Sequence, residues 1–423
     1  RWRGRLGLAL TSPASGEASG SGSAPRRFPS TAVGPGQGIS PLLFLGFAVG
    51  SIGGPLALVY LLLPGVVGSD SLGSVGLIVL GALVLFAFPL AIWHRFSYEV
   101  ASAGGLYSFV RLAAGPRTAG VHGAIWTVSY FLYLPATVTA VVYELLPELA
   151  PGIAPYRLAL QLGLPVAFAA AVAVPLRLSL VPVAALAAVQ LALVLVVGGI
   201  AIAHVGVPVR SFAPHAEAAG LPGATATVSL LFLCASLPLY LGSEVRGGAR
   251  VVRQNLVGAV VLVGAFVLVA ALPLAFVPDR LRLAELPGYA IVGAYAGHGL
   301  ALAVGAVSVL SILGLVFAEY VALGRLLFAW VGMPLRRSTL LIGGAFLASD
   351  AAALLSPDDF YEQALRPSLA ALYLSQLIVF GVYPLRERIR LDRFAPAPLV
   401  LAGVAAAPMV YGLYLVVGGR IAS

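Results

Sequence analysis

The sequence has no lysine; all 25 of its basic side chains are arginines. That absence excludes a P-loop, which needs a lysine on the phosphates, and every Schiff-base mechanism. A single cysteine, Cys234, excludes a disulfide framework and a cysteine-based zinc centre. The histidines His94, His122, His204, His215 and His298 are scattered, with no HExxH pair, and no GxSxG elbow occurs. Charge is scarce as well. Only 10% of the 423 residues are charged, against about 25% in soluble domains. So few charges cannot cover a water-facing surface.

What is present is apolar. Hydrophobic residues make up 60% of the chain, and the mean hydropathy is +1.00. Residues 1–38 are rich in Gly, Ser, Pro and Ala and carry Arg1, Arg3, Arg5, Arg26 and Arg27. They read as a disordered basic tail. From residue 39 to 423 the chain reads as an all-α polytopic transmembrane domain. Runs of spanning length cover about 41–63, 72–94, 119–146, 158–175, 180–204, 225–243, 254–277, 290–331, 338–355, 363–384 and 396–418. That predicts about eleven helices. The eighth run is longer than one crossing and is expected to project past the bilayer as a single helix ending at Pro334.

The net charge of +9 follows the same logic. With the N-terminus placed inside, only Arg157, Arg210, Arg280, Arg282, Arg366 and Arg420 fall outside; every other arginine lies inside. The excess therefore reports orientation rather than a nucleic-acid partner. It predicts a multi-pass cell-membrane protein with a cytoplasmic N-terminus and an extracellular C-terminus.

Two spans are interrupted. The first contains Gly50-Ser51-Ile52-Gly53-Gly54-Pro55 and the sixth contains Cys234-Ala235-Ser236-Leu237-Pro238, each about ten residues in. Proline removes a backbone donor and clashes with the preceding turn. Unwound backbone at membrane depth is tolerated only inside protein or along a cavity. Five spans lie in about 41–204 and five in about 225–384, so the second set enters the membrane inverted, and 396–418 is an extra helix. Paired breaks at matching positions of two inverted halves point to a transporter site at the midplane. Free N–H groups at one half-helix end attract a carboxylate, and free carbonyls at the other attract an ammonium or a cation. A zwitterionic amino acid suits both. Ser51, Ile52, Gly53 and Gly54 are the candidates for the carboxylate; Cys234, Ala235 and Ser236 are those for the other end. Phe232 either closes the pocket or packs. Tyr130 and Tyr133, three apart on one helix face, line the pocket or pack between helices.

Four segments resemble the amino acid–polyamine–organocation superfamily, specifically its amino acid permeases. Gly50-Ser51-Ile52-Gly53-Gly54-Pro55-Leu56 is similar to that family's glycine-rich break. Ala103-Gly104-Gly105-Leu106-Tyr107 with Gly115-Pro116 resembles its P-x-x-G-G-x-Y…G-P segment. Phe232 through Glu244-Val245-Arg246 and Arg250 resembles its sixth helix and the loop that follows. Arg325-Leu326-Leu327-Phe328-Ala329-Trp330…Pro334 resembles the end of its eighth. The likeness covers roughly residues 39–385. It implies a five-plus-five inverted-repeat secondary transporter of an amino acid or related amine, coupled to a proton or sodium, with no cofactor and no resident metal. An exchanger is the alternative within that class. A channel or an intramembrane enzyme is disfavoured, because no pore loop, paired acid or Ser/His arrangement is present.

The sequence departs from the family pattern at Gly54, Pro55 and Cys234. Gln190 falls near where some proton-coupled relatives carry a lysine. Ser308 and Ser311 lie on the eighth span, which supplies hydroxyl ligands for sodium in relatives of this architecture, and are otherwise expected to bond back to their helix. Glu319 is an intramembrane acid, expected either to carry a proton or gate the pathway, or to pair with Arg95 or Arg246. Asp350 is expected to snorkel to an interface. Glu244, Arg246, Arg250 and Arg253 are read as a gate closing on Arg95, Glu99 or Arg111, or as contacts with lipid headgroups.

Overall fold

A computed structural model describes residues 38–68, 71–206, 209–214, 220–392 and 395–418. The basic tail, apart from Gly38, lies outside the described residues. The described chain is helical, with one isolated parallel bridge between Ile39 and Val245. The helical runs in order are α1 (Pro41–Val67), α2 (Leu72–Phe96), α3 (Gly105–Leu149), α4 (Pro151–Ala173), α5 (Leu176–Val205), α6 (Leu221–Leu241), α7 (Gly248–Ala275), α8 (His298–Val331), α9 (Leu335–Ala353), α10 (Pro357–Leu391) and α11 (Pro396–Val417).

Among the described residues, ten of these are long and apolar enough to cross a membrane. The remaining one, α9, forms as a helix of 19 residues. Arg336, Arg337 and Asp350 take it below the others in apolar character, so by composition the count is ten rather than the expected eleven.

Backbone chemistry accounts for the interruptions. Ser40 caps α1 by accepting from Leu43 N–H at 3.3 Å, and Pro41 starts the helix where its missing N–H costs nothing. The α-helical hydrogen bonding stops at Ser51. Gly53 (φ 78°) and Gly54 (φ 67°) then take a conformation that strains any other residue, and Pro55 restarts the helix. In α3, Gly115 (φ 82°) breaks the run immediately before Pro116. The membrane helix is thus preceded by a separate helical stretch from Gly105, which the hydropathy reading did not include. The long eighth run is not one helix either. Pro287–Tyr295 forms a short helix, and Gly297 (φ 98°) turns the chain before α8 begins at His298.

The packing sorts interior from periphery. The most apolar window of α1 is 78% buried, and α1 sits among α5, α6, α7 and α8. The corresponding window of α4 is 11% buried, so α4 presents most of its surface outward. α10 runs along α3, and α11 covers α10, α2 and α6. One continuous apolar core joins the two sets of five helices.

Candidate functional site

The two interrupted helices meet. At the α1 break, the N–H groups of Gly53 and Gly54 have no acceptor among the described residues. A Cβ placed on Gly53 would lie 3.9 Å from the Leu231 carbonyl oxygen of α6, and that carbonyl accepts no backbone hydrogen bond among the described residues. The two breaks thus come together at Gly53 and Leu231, with unpaired N–H groups on one and an unpaired carbonyl on the other. Ile52 and Ser51 are fully buried; the Ser51 hydroxyl donates to Ala48 O at 2.9 Å and is occupied locally. Its hydroxyl can still accept, but it has no proton left to donate to a ligand.

The sixth span breaks earlier than its proline suggests. α-Helix ends at Leu230, and Leu233–Leu241 continues as a 3-10 helix. Pro238 cannot donate to the carbonyl four residues back, so the tighter winding spreads upstream from it. Cys234 is partly exposed inside this segment, while Ala235 and Ser236 are buried. The Ser236 Oγ and the Tyr130 hydroxyl lie close to each other, and neither makes a well-formed hydrogen bond. Phe232 is fully buried against Phe86 of α2, ring centres 5.6 Å apart, so the structure seats it as a packing residue. Tyr130 stacks on Trp126 (4.1 Å), and Trp126 stacks on Tyr240 (4.4 Å). Tyr133 is only partly buried. Both tyrosines lie within electrostatic reach of Cys234 and Glu319.

Glu319 of α8 is 1% exposed, and its Oε2 has no hydrogen-bond partner. The expected alternative, an ion pair with Arg95 or Arg246, does not form. Glu319 stands instead beside the α6 break with no cationic partner among the described residues. The two α8 serines divide. Ser308 bonds back to Val304 O at 2.8 Å, whereas Ser311 donates to Gln190 Oε1 of α5 at 2.6 Å. A Cβ on Gly54 would collide with Ser311 Oγ and meet Gln190 Oε1 at 2.8 Å. The α1 break is thus wedged against a buried polar tie between α5 and α8.

Asp350 does not snorkel. It is completely buried, and its Oδ1 accepts from Gln161 Nε2 of α4 at 2.7 Å; the same nitrogen donates to Thr139 Oγ1 at 2.9 Å. Sequence reasoning missed Gln161 altogether; the only available signal was an amide inside a span that otherwise faces outward.

At the arginine-rich end, the charged residues pair differently from expectation. Glu244 closes on Arg325 of α8, which resemblance had marked only as part of a motif. Arg325 Nε and Nη2 reach the two carboxylate oxygens at 2.7 and 3.1 Å, and Nη1 donates to Val321 O at 3.1 Å. Glu99 is held by Arg386 of α10 rather than by the loop after α6. The Arg253 guanidinium lies 3.5 Å over the Tyr98 ring. The Ile39–Val245 bridge ties the start of α1 to the same loop through Ile39 N–H to Glu244 O (2.8 Å) and Arg246 N–H to Ile39 O (2.9 Å).

No family model matches the sequence. No curated protein matches it either. Solved structures do share its fold. A manganese transporter of Eremococcus coleocola, in complex with an aromatic bis-isothiourea substituted compound, superposes with a TM-score of 0.58 at 10% identity, covering 90% of this chain and 87% of its own. Mhp1, a nucleobase-cation-symport-1 family transporter in a closed conformation with bromovinylhydantoin bound, gives 0.58 at 12% identity, covering 92% and 94%. MhsT in complex with L-phenylalanine gives 0.51 at 16% identity, covering 89% and 98%. The chain has the polytopic inverted-repeat fold of these membrane transporters.

Proposed function

We propose that the protein is a secondary active transporter of an amino acid or related amine, working by alternating access in the cell membrane with its N-terminus in the cytoplasm and its C-terminus outside. The observation that carries this reading is the meeting of the two breaks at Gly53 and Leu231, with the Gly53 and Gly54 N–H groups and the Leu231 carbonyl all without backbone partners among the described residues. Unpaired N–H groups suit a carboxylate, and a free carbonyl in the α6 break, with the Glu319 carboxylate near Cys234 of the same break, suits an ammonium. Ser51, Ile52, Gly53 and Gly54 would contact one end of the substrate through backbone, and Cys234, Ala235 and Ser236 the other. Tyr130 and Tyr133 would line its flank, with Phe232 packed behind.

Glu319 would take the coupling proton or face the substrate amine. Gln190 and Ser311 would hold the α1 break in place. Uptake by protein reconstituted in liposomes, measured with a panel of amino acids and amines under imposed proton or sodium gradients, tests the reading. Saturable uptake of one class is the expected result; no binding or flux across the panel overturns the substrate, and flux that never saturates indicates a channel. Gly53→Leu should abolish binding by filling the gap between the breaks. Glu319→Gln should remove the pH dependence of transport, and an unaltered pH profile would exclude Glu319 as proton carrier.

A further inference from the structure

A pocket of about 450 Å³ lies away from the two breaks, where the ends of α2 and α10 meet the start of α11. Its polar wall consists of His94, Arg95, Tyr383, Glu387 and Arg390. Its apolar wall includes Leu391, Pro398 and Leu401. Arg95 is exposed and makes no hydrogen bond or ion pair with a described residue. Arg390 gives part of its charge to Glu387, donating through Nε at 3.2 Å and Nη2 at 2.7 Å, yet its side chain remains 42% exposed. Arg253, laid over Tyr98, adds positive charge beside His94, whose ring meets the same tyrosine edge-on. The pocket is therefore net positive on one wall and apolar on the other, at the arginine-rich end of a membrane domain.

A free anion has no use for the apolar wall, and a neutral lipid has none for the arginines. The flank also suits a lipid, because α11 is long and apolar enough to cross a membrane and its most apolar window is only 33% buried. We infer that this pocket binds one anionic phospholipid, with Arg95 and Arg390 on the headgroup phosphate, the Tyr383 hydroxyl within reach of the ester region, and the first methylenes of an acyl chain against Leu391, Pro398 and Leu401. Basic pockets between membrane helices hold anionic headgroups by this combination of charge and shape.

The test is native mass spectrometry of the full chain in micelles doped with phosphatidylglycerol or with phosphatidylcholine. The expected result is one retained phosphatidylglycerol per chain and no comparable retention of phosphatidylcholine. Arg95→Gln with Arg390→Gln should lower that retention roughly thirtyfold, five- to sixfold per arginine. Arg336→Gln with Arg337→Gln, at the same end but outside the pocket, should leave it unchanged. Ala397→Trp fills the pocket without altering any charge and should also displace the lipid, which keeps the test valid if the double arginine variant fails to fold. Equal retention of both lipids, or equal losses from the two arginine pairs, would overturn the inference. Displacement of phosphatidylglycerol by inorganic phosphate or glycerol phosphate at similar concentration would make this a soluble-anion site and overturn it as well.

Discussion

Replacing Glu244 by Gln should open the arginine-rich end of the protein. The Glu244–Arg325 pair has two charge-assisted bonds, and its side chains are 16% and 4% exposed. Such bonds are each worth about 1.5–3 kcal/mol, and stripping a buried pair of one partner costs about 3–5 kcal/mol. Glutamine keeps one neutral acceptor for Arg325, and Glu244 retains some contact with solvent, so roughly 2–3 kcal/mol is lost. The pair bridges the loop after α6 to α8; we propose that it holds that end closed in the alternating-access cycle, in which case the loss falls on the closed state alone. The closed-to-open ratio should therefore fall by roughly 30- to 150-fold. Cys234, the sole thiol, stands in the α6 break and reports the change directly. Its reaction rate with a small water-soluble maleimide should rise in proportion to the open population. Arg386→Gln offers an internal comparison. Its partner is Glu99, the two side chains are 23% and 25% exposed, and loss of such a pair is worth at most about 1 kcal/mol, a factor near five. Exchanging the charges, Glu244→Arg with Arg325→Glu, should bring labelling back towards the native rate. Native-like labelling in both Glu244→Gln and Arg325→Gln would show that the pair does not hold the pathway shut.

Two further substitutions test the local geometry. Gly54→Ala puts a methyl group into Ser311 Oγ at a φ of 67°, whereas a methyl group on Gly65, at an exposed position of α1, would meet nothing within 4 Å. Thermal unfolding in detergent should show Gly54→Ala destabilised by at least about 1–2 kcal/mol from backbone conformation alone, and Gly65→Ala unchanged or slightly stabilised; equal effects would mean the α1 break is not wedged on Ser311. Gln161→Leu removes the one donor to Asp350 and should cost about 3 kcal/mol or more, while Asp350→Asn keeps an acceptor for Gln161 and should cost under about 1 kcal/mol. A tolerated Gln161→Leu would argue against the Thr139–Gln161–Asp350 cluster as a structural tie.

The parts of this fold that were legible in the sequence are those set by local chemistry. Helix lengths follow from runs of apolar residues, and the break in α1 follows from Gly53, Gly54 and Pro55, because positive φ and a missing N–H act within a residue or two of their cause. The same locality explains the misplacements. Pro238 marks the disturbance in α6, but the α-helix already ends at Leu230 and 3-10 winding begins at Leu233, since each altered hydrogen bond shifts the one before it. Gly297, inside the eighth run, looked like an ordinary membrane-helix glycine, and Gly115 lay between two expected spans; their positive φ angles mark both as helix boundaries. Pairings were not legible at all. Glu244 had three plausible arginines close by in sequence and chose Arg325, 81 residues away; Asp350 chose Gln161, 189 residues away. A buried charge takes the partner that tertiary packing desolvates alongside it, and hydropathy carries no trace of which helix that will be. The consequence for Glu319 runs the other way. It was expected to take Arg95 or Arg246, both distant in sequence, and packing gave it neither, leaving its carboxylate beside the α6 break with an unfilled acceptor. Glu244 has its partner built in and Asp350 has Gln161 on one of its two carboxylate oxygens, whereas no described residue forms a hydrogen bond or ion pair with Glu319.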